Sequence, residues 1–166
     1  MPTPGRGTKV PGEATSLEWP DVERRLSKGG WFWLATVRPD GAPHVMPVFA
    51  VWSESGLFVA SKRSARKSRD LDADGRRVVS AEVDGAHLVV EGEADRVRDP
   101  EMLGRASAAF LDTYGWPTTV AGDELDAEFG APTSGGPPYR IYRIAPTTIF
   151  ALPYDGSFQP TRVRFA

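Results

Sequence analysis

The sequence of 166 residues contains no cysteine. That removes disulfides, thiolate metal sites and cysteine nucleophiles together, and it fits a reducing compartment. Asparagine is also absent, and 4 lysines stand against 16 arginines, a skew that resembles the coding of high-GC bacterial genomes. There are 2 histidines, His44 and His87, so a transition-metal site would need both of them plus carboxylates, and none is expected. No apolar run approaches the ~18 residues of a membrane span, and residues 1–16 lack the apolar stretch of a secretory leader. A cytoplasmic protein with no membrane partner is therefore expected. With a net charge of -2 and a pI of about 5.7, no general attraction to nucleic acid is expected either. HExxH, GxSxG and a Walker lysine are all missing, and the Gly5-Arg6-Gly7 stretch lacks the strand and helix that a dinucleotide loop requires. Hydrolase and nucleotidase readings gain no support.

What is abundant is turn chemistry. Gly 17 and Pro 15 make up about a fifth of the chain, which argues against a helical bundle. The length suits one domain, read as residues 17–166 behind an N-terminal arm at 1–16 that is rich in Gly, Pro and Thr. A short helix is expected around Pro20, with acids early and Gly29-Gly30 as its stop, and with Trp19, Val22 and Leu26 facing the core. Trp31 to Arg38 and His44 to Trp52 read as a hairpin about Pro39-Asp40-Gly41, and Leu57 to Ala60 as a third strand. Arg77 to Val83 and His87 to Val97 read as a second hairpin about Asp84-Gly85. Asp99-Pro100 opens a helix in which Leu103, Ala106, Phe110 and Leu111 recur at helical spacing, and which ends near Gly115. Trp116 to Pro138 has no sustained period and reads as a long loop. Strand character returns at Tyr139 to Leu152 and at Thr161 to Phe165. Six or so strands with few helices predict a mainly β protein, a small closed or partly closed β-barrel.

The strongest local signal is Ser61 to Leu71. Lys62, Arg63, Arg66, Lys67 and Arg69 place five of the 20 basic residues in eight positions, where an even spread would give about one. Ser64 reads as an N-cap, which sets Arg66 and Lys67 in the first helical turn. There the macrodipole disfavours cations by ~0.3 to 1 kcal/mol each, so an anion is expected to offset them. Helix-start N–H groups, two hydroxyls and several cations suit a phosphate. The run follows directly on the buried-looking strand LFVA, which places it at a barrel rim, where barrels hold ligands.

In order and spacing, WLATVRPDGAPHVMPVFAVW, LFVASKRSARKSRDL, LVVEGEA and the terminal FQPTRVRF resemble the pyridoxamine 5'-phosphate oxidase-like split-barrel superfamily. The resemblance implies a split β-barrel of FMN-binding type, a homodimer that binds FMN or the deazaflavin F420 between its subunits. By position it implies that Met46, Pro47 and Val48 run along the ring and that Ala60, Ser61, Lys62, Ser64, Arg66 and Lys67 hold the phosphate. His87 and Trp116 would form a wall from the neighbouring subunit. The arginine-rich helix start, the RPDG hairpin and the TRVRF end look more similar to the F420-binding branch. Substrate-phosphate and C-terminal arginine features of true pyridoxamine phosphate oxidases have no match here. The implied function is hydride transfer between F420 or FMN and a small apolar conjugated substrate; the alternative is a non-catalytic flavin, F420 or haem binding module of the same fold. Flavin-type chemistry asks the protein to bind, orient and exclude water, because the ring carries the reaction.

Four further placements stay open at this level. His44 reads either as an ordinary strand histidine or as a proton donor. Alternation sends Trp31 and Trp33 to one face and Phe32 to the other, for core or dimer contact. Trp116 and Phe129 either line a substrate pocket or anchor a loop. Arg162 and Arg164 either reach an acidic substrate or pair with Glu91 or Glu93.

Overall fold

A computed structural model describes residues 15–131 and 135–166, so most of the expected arm lies outside the described residues. Helix α1 (Trp19–Ser27) leads into β1 (Phe32–Val37), β2 (Pro43–Ser53) and β3 (Gly56–Ser61), a meander closed by α2 (Arg66–Ala73). The second hairpin follows as β4 (Arg77–Val83) and β5 (Ala86–Val97), then α3 (Pro100–Tyr114), a small hairpin of β6 (Thr119–Ala121) and β7 (Glu124–Asp126), and the strands β8 (Arg140–Pro153) and β9 (Thr161–Arg164). The strands run β3-β2-β1-β4-β5-β8-β9, and β8 also pairs with β3. That extra pairing closes six strands into a barrel and leaves β9 as an appendage, so the expected mainly β split barrel is the fold.

The 14 residues of β8 make the closure possible. One edge pairs with β5 along its length; the other pairs first with β3, Leu57 opposite Ile144, and then with β9, Thr148 opposite Arg164. Where β8 changes partner, the β5 ladder shifts register between Glu91 and Gly92. The bulge brings the backbones so close that a Cβ on Gly92 would meet the Ala145 carbonyl oxygen at 2.1 Å.

Two cores result. The barrel interior holds Phe32, Leu34, Val79, Leu88, Val90 and Ile149, plugged at one end by Val22 and Leu26 of α1. Outside the barrel, Leu103, Ala106 and Phe110 of α3 cover Phe49, Val51, Phe58 and Ile141. Strand β3 lies between the two, so all six of its residues are buried, which explains an apolar run without alternation. Leu111, expected in the core, is 50% exposed: it lies one step round α3 from Phe110. The stretch read as loop from Trp116 contains the β6–β7 hairpin, whose two strands are too short to show a period.

Substituting Gly92 with alanine drives a methyl group into the facing backbone. Thermal unfolding should record a loss of about 1 to 3 kcal/mol, the range for overpacking.

Candidate functional site

The basic turn joins β3 to α2 at one end of the barrel. Residues 43–48 of β2 are laddered to β1, while β3 pairs with β2 over Phe49 to Ser53. Continuing the register beyond Phe49 opposite Ala60 sets Val48 beside Ser61 and Pro47 beside Lys62. The early half of β2 therefore offers an open strand edge to the turn. Met46 on it is 45% exposed, Pro47 is partly buried, and the Val48 side chain enters the barrel core.

Helix α2 starts at Arg66, as expected, but its N-cap is Ala65 and not Ser64, which is exposed. The reason lies in Ser68, whose Oγ sits 2.6 Å from the Lys62 carbonyl oxygen and 2.7 Å from Ser61 Oγ, drawing the turn inward. No side chain caps the first turn, so the N–H groups of Arg66 and Lys67 stay available to a ligand, while that of Ser68 donates to the Ala65 carbonyl oxygen.

The buried face of α2 consists of Lys67, Ser68, Asp70 and Leu71, and polar bonds dock it. Thr36 of β1 donates its hydroxyl to Asp70 Oδ2 at 2.9 Å. From β8, the Tyr142 hydroxyl donates to Asp72 Oδ1 at 3.0 Å, and Arg140 pairs with Asp72 Oδ2 at 2.7 Å. Burial, the largest effect there, pushes the Tyr142 phenol up. With one apolar residue on that face, direction rather than area fixes the helix, and the turn is held rigidly at the rim.

Lys67 is 6% exposed, and among the described residues none forms an ion pair or hydrogen bond with its ammonium. Burial pushes its pKa below the usual lysine value. By contrast, three largely buried arginines have acids: Arg77 meets Glu93 at 3.1 Å, Arg96 meets Asp123 at 3.1 Å and Arg140 meets Asp72. A cation on a largely buried side chain, in no ion pair among the described residues and beside a helix start without a side-chain cap, is chemically complementary to an anion. Arg63 and Arg66 are exposed at the mouth, with Arg63 held 3.8 Å from Glu124 of β7. A Cβ added to Gly135 would meet the Lys62 stem at 3.9 Å, so Gly135 lies beside the turn.

Trp116, expected at a cofactor wall, is instead a core residue, 3% exposed. Its ring lies 5.1 Å from Phe49 and 5.3 Å from Phe110 and Tyr139, and its indole N–H donates to the Phe129 carbonyl at 3.1 Å. For Trp116, loop anchoring is the reading found; Phe129 contributes only its backbone carbonyl, and its side chain is 54% exposed. His87 lies on the outer face at the far end of the barrel from Thr36, its Nδ1 3.2 Å from Glu82 Oε1 and its ring 4.4 Å from that of Tyr154. Within one chain it is not part of the basic turn. It shares a shallow cavity of about 380 Å³ with Trp31 and Trp33. Glu93, considered as a partner for Arg162 or Arg164, is bound to Arg77.

Sequence reasoning passed over Asp70 and Thr36. Their one signal was an acid closing a basic run, and the contact spans 34 residues.

The model of the pyridoxamine 5'-phosphate oxidase family matches residues 19–152. The chain belongs to that family. No curated protein matches it. Among solved structures it is similar to a conserved hypothetical protein from Mycobacterium tuberculosis, at 18% identity and TM-score 0.66 over 89% of this chain and 91% of that one. An F420 reductase shares 24% identity at TM-score 0.55, over 76% of this chain and 94% of that one. A pyridoxamine 5'-phosphate oxidase-related, FMN-binding protein from Nostoc punctiforme shares 16% identity at TM-score 0.54, over 84% and 82%. At these identities the likeness shows the fold, and the family supports a cofactor of flavin type. The residues present fit such a group, whose phosphate would meet Lys67 and the start of α2.

Burial of the Lys67 side chain costs stability while its charge is unpaired. Its folded pKa lies below its unfolded value, so the unfolded chain binds more protons through that window and stability rises with pH there. Replacing Lys67 with methionine should therefore raise the melting temperature of the ligand-free protein at pH 7 by about 2 to 4 °C, the shift for ~1 kcal/mol at this size. A calorimetric scan of both proteins checks this.

Proposed function

We propose that the protein is a flavin- or deazaflavin-dependent oxidoreductase that holds F420 or FMN and passes hydride between it and a small apolar, conjugated substrate. The observation that carries this reading is the largely buried Lys67 side chain at the start of α2, whose ammonium has no ion pair among the described residues. When bound, the cofactor ring supplies the redox chemistry. The chain's own residues then have three tasks. Ser61, Lys62, Ser64, Arg66 and Lys67 take the phosphate, with the Ala60 backbone beside them. The open edge of β2 at Met46, Pro47 and Val48 orients the ring through backbone groups. The apolar surroundings exclude water.

The working unit is a homodimer in this proposal. A continuous outer row crosses five strands, from Pro47 through Trp33, Ser80 and Val89 to Phe150. Around it Trp31 is 69% exposed, Trp33 48% and Val45 53%, a density of apolar surface that soluble monomers seldom leave uncovered. Pairing of two such faces would bring His87 of one subunit toward the other's cofactor groove.

Titrating F420 and FMN while following tryptophan fluorescence should give saturable binding of one of them. Arg66→Ala with Lys67→Ala should weaken it at least ~10-fold, since each charge-assisted bond contributes ~1.5 to 3 kcal/mol. Binding of neither cofactor would contradict the proposal. A bound cofactor that no panel of reductants and enones turns over would assign a non-catalytic holding role instead. In sedimentation the protein should run at twice 18.1 kDa, and Trp33→Asp should shift it to the single mass.

A further inference from the structure

The face that α2 buries holds a group that phosphate binding does not use. Asp70 is 1% exposed and accepts a hydrogen bond from Thr36 on Oδ2, while its Oδ1 is enclosed with no partner. Docking α2 on β1 needs only an acceptor for that hydroxyl. An amide would provide one without the cost of enclosing a charge, so the carboxylate has a second task.

His44 is placed to receive it. Its Nδ1 lies 3.9 Å from Asp70 Oδ2 and is likewise enclosed without a partner. The β1–β2 register sets His44 directly opposite Thr36, so the two side chains stand together on one face beneath the carboxylate. The two ring nitrogens differ. Nδ1 is shut in against Asp70, whereas Nε2 is not among the enclosed atoms and no hydrogen bond occupies it. The 13% of the side chain left exposed therefore lies on the Nε2 side. His44 also precedes Met46 by two residues on the open strand edge, so both side chains point the same way.

We propose that Asp70 and His44 form an orienting pair. A shift of less than about 1 Å brings Nδ1–H into hydrogen-bond range of Oδ2, fixes that tautomer and leaves Nε2 to exchange a proton with bound substrate. The pair rests on the redox reading of the site. Hydride delivered to one carbon of a conjugated substrate adds two electrons and one hydrogen there, and the displaced π pair moves to the far end of the conjugated system. That end needs one proton. The imidazolium form of His44, protonated on both nitrogens, supplies it from Nε2, the N–H bond breaking as the new bond to the substrate forms; the neutral ring that remains keeps its proton on Nδ1 beside Asp70 and regains one at Nε2 from solvent. The cofactor is oxidised by two electrons and the substrate reduced by two.

Long-range proton–nitrogen correlation spectra of the cofactor-free protein test the pair without any turnover. Neutral His44 is expected to carry its proton on Nδ1. In Asp70→Asn the side-chain amide donates to that nitrogen and the proton moves to Nε2. A wild-type proton on Nε2, or no tautomer change in the variant, overturns the proposal. The wild-type spectrum decides even if the variant fails to fold. In the holoenzyme, His44→Gln and Asp70→Asn should each lower kcat for an enone by at least ~100-fold, the low end for general acid–base catalysis, with cofactor Kd changed less than about threefold. Equal loss of cofactor binding would make the pair structural and overturn the proposal. Failure of the wild-type protein to bind any cofactor would sink the redox reading, and the proton's role with it. The tautomer result would still report separately on whether Asp70 orients His44.

Discussion

A lysine largely buried at a helix start, its charge in no ion pair among the described residues, is the constraint on which the functional account depends. Proteins seldom leave such a charge unanswered, because desolvation costs several kcal/mol and dipole repulsion adds to it. Lys67 sits in that position by construction. Asp70 and Asp72, on the same helix, form no ion pair with it: Asp70 accepts from Thr36 of β1 on one oxygen, and Asp72 bonds to Arg140 and Tyr142 of β8. The acids that could have neutralised the lysine instead fasten its helix to the barrel. Stability is surrendered locally and a site for an anion is gained.

The barrel supplies the rigidity that makes this arrangement useful. Because β3 is packed on both faces, by the interior core and by α3, the chain leaves it at Ser61 in a fixed direction. The long β8 strand closes the barrel on β3 and also reaches α2 through Arg140 and Tyr142. Closure and site placement are thus one structural event. The open edge of β2 follows from the same geometry: β3 stops pairing at the point where it turns into the basic segment, so the strand edge and the cations adjoin.

Much of this was legible in the residue string. Strand positions followed from β-branched and aromatic runs bounded by Pro39-Asp40-Gly41 and Asp84-Gly85, because hairpins are local and their turn residues have few alternatives. The basic turn stood out by density alone. Pairings between distant residues stayed hidden: Thr36 with Asp70, Tyr142 with Asp72 and the closure of β3 on β8 leave no periodic trace. Ser64 and Ala65 exchanged roles because Ser68 draws the turn inward, a preference set by Ser61 below it. Trp116 shows the limit of reading aromatics near a loop. Large rings at the end of a helix serve a second core as readily as a ligand, and Phe49 and Phe110, which decide the matter, are far from it along the chain or on another face of the helix pattern.

The central claim concerns a single charge, so its most direct measurement is the titration of the Lys67 ammonium by carbon and nitrogen NMR of labelled protein, with and without the phosphate-bearing cofactor. The account predicts a pKa below the ordinary lysine value in the free protein, rising when the phosphate binds. A lysine that titrates normally in the free protein, or one unmoved by saturating cofactor, would contradict it.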